Sequence, residues 1–115
     1  MPGYYPKLGD LVWLDFAPQA GHEQSGRRPA LVVSHDAYNR KAGLILGCPV
    51  TSQRKGYPFE VSIPEGMPVS GVILADQMRS LDWRSRRALF IAKAPSETLA
   101  EAVSLIKTLT ADMDD

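Results

Sequence analysis

Apolar and polar positions fall into short runs over the first 94 residues. Asp10–Phe16 reads Asp-Leu-Val-Trp-Leu-Asp-Phe, rich in strand formers. Ala30–Ser34 and Leu44–Val50 are compact apolar stretches. Phe59–Ile63 alternates strictly between apolar and polar, the pattern of a strand with one buried face. Val72–Ala75 and Ala88–Ala92 follow. Residues 17–29 are polar, with two Gly and two Pro, and read as a long loop. Short strands divided by turns predict a mainly β fold, a small barrel or curled sheet. After Pro95 the period changes. Leu99, Ala102, Val103, Ile106 and Leu109 recur every three or four residues, one apolar face of a helix of about three turns that packs on the barrel. Its start has two candidate caps: Ser96 as N-cap, or Thr98 with Glu101 as a capping box. The last residues, Asp112-Met113-Asp114-Asp115, read as a frayed end.

Length and composition change this picture little. The 115 residues suffice for one domain and one core, with 44% hydrophobic and 23% charged residues. No apolar run reaches the roughly 18 residues needed to span a bilayer. The first residues lack the apolar core of a signal peptide, so a cytoplasmic location without membrane contact is expected. Cys48 is the single cysteine and lies in an apolar run, which reads as a small buried side chain. Charge does change the picture. Lys and Arg number 13 and Asp and Glu 13, a net of zero. Yet residues 1–96 hold 12 of the cations and 8 of the anions, leaving a mildly basic body and an acidic tail. That permits contact with phosphates without demanding it.

Three segments gather chemistry. Pro18–Ala30 puts His22, Glu23, Arg27 and Arg28 within a few residues. Pro29 biases Arg28 to an extended backbone, where its fork of donors can grip a phosphate. Read locally, surface ion pairs between Glu23 and the arginines are the commoner arrangement. In Cys48–Pro58 the hydroxyls of Thr51 and Ser52 are followed by Arg54 and Lys55, a set that can hold a phosphate or simply begin a turn. In Ala75–Arg87, Asp76 and Gln77 can read base edges and Arg79 and its neighbours can bind phosphate, or the stretch is a salt-bridged hairpin end. Trp83 reads as a packing anchor, and Trp13 as core or dimer interface. Paired histidines on a helix, a cysteine cluster and a Gly-rich phosphate loop before a helix are all missing, which argues against a metal site and against nucleotide hydrolysis.

These segments resemble the MazF/PemK toxins. Gly9-Asp10-Leu11-Val12-Trp13-Leu14-Asp15-Phe16 with Gly21-His22-Glu23-Gln24 is similar to the family's opening. Arg28-Pro29-Ala30-Leu31-Val32-Val33-Ser34 resembles its most recognisable motif. Pro49-Val50-Thr51-Ser52 with Lys55-Gly56-Tyr57-Pro58-Phe59-Glu60-Val61 is similar to the second, and Gly71–Gln77 with Arg79, Ser80 and Trp83 to the third. The blocks run in family order over about residues 8–84, which outweighs the bland local readings of Arg28 and Thr51. The resemblance implies a single toxin domain over residues 1–115, an SH3-like β-barrel with a C-terminal helix, and a homodimer. It implies a cofactor-free endoribonuclease acting on single-stranded RNA, chiefly messenger RNA, and a cognate antitoxin that blocks the site. By position, Arg28 and Thr51 match the family's catalytic residues and Glu23 a loop carboxylate. The pair Thr51-Ser52 stands where some relatives carry two threonines.

The chemistry of these side chains suits that activity. RNA carries its own nucleophile, the 2′-hydroxyl. Arg28 can stabilise charge developing on the phosphate, Thr51 can donate a hydrogen bond to it, and Glu23 can accept the 2′ proton or orient Arg28. Ser52, Arg54, Lys55, Gln77 and Arg79 are the expected RNA contacts beyond them. Neighbours on an extended backbone point to opposite faces, so Arg27 and Arg28 cannot both reach a phosphate near Thr51. Pro29 and the resemblance select Arg28 and leave Arg27 a peripheral RNA contact. Two alternatives belong to other classes: a gyrase poison of similar fold, which relies on an aromatic, apolar C-terminus that this acidic tail does not offer, and a non-catalytic barrel that binds peptide or RNA.

Overall fold

The apolar runs become strands of one antiparallel sheet. The computed structural model describes residues 3–16 and 26–110. In chain order come β1 (Asp10–Asp15), β2 (Arg27–Val32), α1 (Asp36–Ala42), β3 (Leu44–Thr51), β4 (Glu60–Ser62), β5 (Val72–Leu74), a 3₁₀ turn (Ala75–Gln77), β6 (Arg79–Asp82), β7 (Leu89–Lys93) and α2 (Ser96–Lys107). The seven strands run β4-β5-β3-β2-β1-β7, with β6 also paired to β3. One edge of β3 pairs Gly47–Pro49 with Val32–Ala30. Along the other, Leu44–Gly47 pair with Asp82–Arg79, and Val50 and Thr51 with Ile73 and Val72. β5 and β6 therefore lie end to end on β3, and the 3₁₀ turn takes up the change of register between them. Among the described residues the sheet does not close on itself: β4 and β7 stand at the two ends of the strand order.

The central strands are buried on both faces, which is why they read as unbroken apolar runs. Leu11, Leu31, Cys48, Val50, Val61 and Ile73 face one core, against which Leu99, Leu105 and Ile106 of α2 pack beside the buried Ala102. Val12, Leu14, Ala30, Val32, Ile45, Leu81 and Trp83 face the other, closed by Tyr4, Tyr5 and Phe16. Trp83 is the anchor expected, its indole N–H donating to the Asn39 carbonyl at 2.8 Å. Cys48 is fully buried. Burial pushes its thiol up to about 12, and the nearby Asp76 charge adds to the shift.

Several boundaries differ from the expectations. α2 begins at Ser96 itself, with Pro95 in the cap position and no side-chain cap bond, so neither Ser96 nor the Thr98–Glu101 pair caps it. Pro95 supplies the turn-in by its fixed φ, and Thr98 is buried instead. Leu109 lies past the helix and is exposed, and Leu105 takes the packed position. The loop ends at Gly26, because Arg27 already pairs with Asp15 in β2. Among the described residues no helix is long and apolar enough to cross a membrane.

Candidate active site

Two neighbouring strands run out of the core side by side. On β2, Ala30 is fully buried, Pro29 half-buried and Arg28 exposed. On β3, Val50 is buried and Thr51, the last strand residue, half-buried. Ala30 stands opposite Pro49. Continuing that register brings Arg28 level with Thr51, and residues level on paired strands share a face. The Thr51 Oγ1 accepts the backbone N–H of Gln53 at 3.1 Å. The hydroxyl proton is thereby left to be donated elsewhere.

Two cavities flank this row. One, of about 620 Å³, is lined by Trp13, Pro29, Ser52, Pro68, Val69 and Ser70. The other, of about 380 Å³, is lined by Pro49, Lys55, Tyr57, Glu60, Leu74 and Gln77. Arg28, Val50, Thr51 and Gln53 line both and form the divide between them. Both fall within the size range of ligand pockets, about 300–1,000 Å³. A phosphate on the divide would meet a guanidinium and a hydroxyl, with room on either side for a nucleoside.

The backbone behind the row is tightly set. Gly71 precedes β5 with φ +119, and its carbonyl accepts the Ile63 N–H at 3.0 Å. A Cβ placed there would overlap the Thr51 carbonyl oxygen and come within 3.2 Å of Ser52 Cα. The segment after Thr51 is shaped by Glu60, whose carboxylate accepts the N–H groups of Lys55 at 2.9 Å and Gly56 at 3.1 Å. Tyr57 donates its hydroxyl to Asp76 Oδ2 at 2.6 Å, a bond that raises the phenol above its ordinary range.

Of the residues expected to act, Arg28, Thr51, Ser52, Lys55 and Gln77 come together around these cavities. Arg27 does not. Its guanidinium donates to Asp15 Oδ1 at 2.5 Å and to the Arg87 carbonyl at 2.6 Å, which makes it an ion-pair partner within the fold. Arg87, and after it Arg27, hold the Asp15 carboxyl below the usual carboxylate range. Arg54 bonds Ser62 Oγ at 3.0 Å, and Arg79 lies 5.7 Å from the Phe16 ring; neither lines the cavities. Asp76 is tied to Tyr57 and its Oδ1 is buried, so it does not offer a base-reading edge. Glu23 and His22 lie outside the described residues. Sequence reasoning missed Gln53, Tyr57, Glu60 and Ser70. Gln53 and Tyr57 sit inside the Thr51–Pro58 motif and were overlooked because charge drew attention to Arg54 and Lys55. Trp13, expected in the core or a dimer interface, is half-buried against the core and also lines the larger cavity.

Among the described residues no three His, Cys, Asp or Glu side chains come together as a metal site. The arrangement offers charge stabilisation and hydrogen-bond donation around an anion.

Comparison with known proteins gives consistent matches. Residues 7–110 match the family described as PemK-like, MazF-like toxin of type II toxin-antitoxin system. The endoribonuclease toxin MazF of Escherichia coli (strain K12) is 53% identical over 85 residues, 74% of this chain and 76% of that protein. The endoribonuclease toxin ChpB of the same strain is 39% identical over 101 residues, covering 83% and 85%. Among solved structures, a MazE-MazF crystal structure from Deinococcus radiodurans (Form-II) superposes with a TM-score of 0.89 at 61% identity, over 93% of this chain and 96% of that one.

Proposed function

The chain belongs to the PemK-like, MazF-like toxin family of type II toxin–antitoxin systems, and from that premise we propose that it is an endoribonuclease toxin that cuts single-stranded RNA, chiefly messenger RNA, at short specific sequences in the cytoplasm. One observation carries the reading most: Arg28 and Thr51, from adjacent strands, line both cavities and form the divide between them. The 2′-oxygen attacks the adjacent phosphorus, the P–O5′ bond breaks, and the products are a 2′,3′-cyclic phosphate and a 5′-hydroxyl. Arg28 stabilises the charge that builds on the non-bridging oxygens, and Thr51 donates its hydroxyl to the same phosphate. Glu23, outside the described residues, accepts the 2′ proton, or orients Arg28 while water accepts it, and the leaving 5′-oxygen takes a proton from water. The scheme requires no metal. The strands β5 and β6, bent along one edge of β3, support reading the sheet as an open form of an SH3-like barrel built by a single domain.

Partners follow from the same reading. A MazE-like antitoxin covers the cavities and blocks cleavage, a reading supported by the similar MazE-MazF crystal structures from Deinococcus radiodurans. A second copy of the chain completes a homodimer, supported by Leu89 and Phe90, which are 57% and 47% exposed on the edge strand β7.

The test is incubation of the purified chain with a mixed RNA transcript in excess EDTA, beside Arg28→Ala. Discrete cuts bearing 5′-hydroxyl ends, abolished in the variant, are the expected result. Intact RNA with the wild-type chain overturns the activity. Cutting at a 2′-deoxy target nucleotide overturns the nucleophile.

A further inference from the structure

The smaller cavity holds an aromatic ring that the proposed chemistry does not use. Tyr57 lies in the segment between Thr51 and β4 and lines the cavity with Arg28, Thr51, Lys55 and Gln77. Its side chain is 46% exposed, although its hydroxyl is engaged. The ring leans on Phe59, centroids 6.0 Å apart and planes tilted by 50°. An aromatic face exposed in a cavity beside a guanidinium and a hydroxyl is available to stack on a base.

The hydroxyl end is pinned. Its acceptor, Asp76 Oδ2, is 2.6 Å away in the 3₁₀ turn, on the opposite wall from the loop and next to Gln77. Among the described residues the other side-chain bonds of the segment are local: Gln53 to Thr51, Arg54 to Ser62, Lys55 and Gly56 to Glu60. Those bonds shape the loop on β3 and β4. Tyr57–Asp76 is the side-chain bond that crosses to the turn carrying Gln77. The second oxygen of Asp76 is buried with no hydrogen-bond partner among the described residues. A buried acceptor left unsatisfied is unfavourable for a residue kept for stability alone. The carboxylate instead makes one short, charge-assisted bond, stronger than a neutral acceptor would give.

Resting on the endoribonuclease reading above, we propose that Tyr57 is a stacking platform for the base beside the cut, and that Asp76 is its positioning residue. An aromatic face accepts any base, so the ring supplies affinity. The pin holds the ring at a fixed distance from Gln77, which has the amide to read a base edge, and so couples stacking to base choice. Neither residue touches the reacting atoms. The Asp76 carboxylate also keeps the phenol protonated beyond its ordinary range, so the pin persists at moderately alkaline pH.

The experiment maps the cut sites on a mixed transcript. A short RNA carrying the best site and its 2′-deoxy analogue then serve as cleavage and binding probes. Tyr57→Ala should raise KM and the analogue's Kd by about 10-fold or more, the scale of one lost base stack, with kcat within about 3-fold. Tyr57→Phe and Asp76→Ala should each give a smaller KM increase and relaxed choice among sites. The double variant should be no worse than either single one, because both remove one interaction. Asp76→Asn, which keeps an acceptor but loses the charge, should fall between the wild type and Asp76→Ala. Unchanged KM and Kd in Tyr57→Ala overturn the platform. A fall in kcat without change in KM overturns the division of roles, and additive effects of Tyr57→Phe and Asp76→Ala overturn the pin. Arg28→Ala separates the two levels: it should lose kcat while still binding the analogue. If the wild type cuts nothing, the endoribonuclease reading falls and this role with it.

Discussion

Replacing Gly71 by alanine should damage catalysis from a residue that carries no chemistry. Gly71 adopts φ +119, a region that residues with a Cβ avoid at a cost of about 1–3 kcal/mol. The added methyl would also overlap the Thr51 carbonyl oxygen and sit 3.0 Å from its carbon. These are backbone atoms, so no rotamer change relieves the contact, and overpacking adds about 1–3 kcal/mol. A total of about 2–6 kcal/mol lies at or below the lower end of the roughly 5–15 kcal/mol of a typical domain, so the variant should fold at 25 °C and melt roughly 10–30 °C lower. To restore ordinary contact distances the Thr51 backbone must move by on the order of 1 Å. A displacement of that size at a reacting geometry costs about 10²-fold in rate. The assay is single-turnover cleavage of a short RNA at 25 °C, with circular dichroism melts. Gly66→Ala is the control, since φ there is +94 but a Cβ would meet no heavy atom within 4 Å. It should lose about 1–2 kcal/mol and no rate. A folded Gly71→Ala variant that cuts within roughly 3-fold of the wild-type rate, far short of the expected loss of about 10²-fold, would refute the argument that Gly71 sets the position of Thr51.

Thr51→Ala should slow single-turnover cleavage by about 10²–10³-fold and Thr51→Ser by much less, because only the hydroxyl donor matters; equal losses would mean the methyl packing is what counts. Arg27→Ala should leave the cleavage rate nearly unchanged but lower the melting temperature, since it removes a partner of Asp15. The Asp15 carboxyl is depressed in the fold, so this contribution is present above the unfolded carboxylate pKa and fades as pH falls through the folded one. The deficit in melting temperature should therefore be full at pH 7 and shrink in acid, and a deficit that grows in acid would contradict the assignment. Cys48, with its thiol at about 12, should react with a thiol reagent at pH 8 roughly 10³-fold more slowly in the native than in the unfolded chain. Its raised value contributes stability below the unfolded thiol pKa that is lost as pH climbs through about 12, so Cys48→Ala should flatten the alkaline limb of the stability profile.

The strands were legible because their burial follows local pattern: Val61 and Ile63 alternate with Glu60 and Ser62, and all but the ends of that run are β4. What escaped had no such period. β6 reads Arg-Ser-Leu-Asp, with only Leu81 buried, and becomes a strand because β3 offers it an edge. α1 carries one buried residue, the polar Asn39, held by Ser34 and the Pro6 carbonyl, so no apolar stripe marks it. Arg28 and Thr51 could be found from their neighbours, Pro29 and the end of an apolar run. The ion pairing of Arg27 was not legible because its partners, Asp15 and Arg87, are distant in sequence and meet it only through the pairing of β1 with β2 and the return of the chain before β7. Ser70 escaped for the same reason, its place set by the pairing of β5 with β3.

The division between rigid and adjustable parts has a consequence for how such a site can change. Arg28 and Thr51 stand on the two central strands, one row beyond Pro29 and the buried Val50, with Gly71 pressed behind Thr51. Any backbone shift there is opposed by both cores, so the pair proposed to handle the phosphate should tolerate little variation. Lys55, Tyr57 and Gln77 line the adjoining cavity from a loop and a 3₁₀ turn at the open side of the sheet. Those elements are joined by single bonds such as Tyr57 to Asp76 and by the Ala75 N–H to the Phe59 carbonyl at 3.0 Å. Substitution in the loop or turn changes what the cavity admits without moving the catalytic row. Recognition can therefore drift while the cleavage step is held fixed, and exchange of residues 52–59 between relatives should move the cut site while leaving the 5′-hydroxyl product chemistry intact. A chimera that keeps its original cut site but loses rate would show that the loop supports catalysis directly.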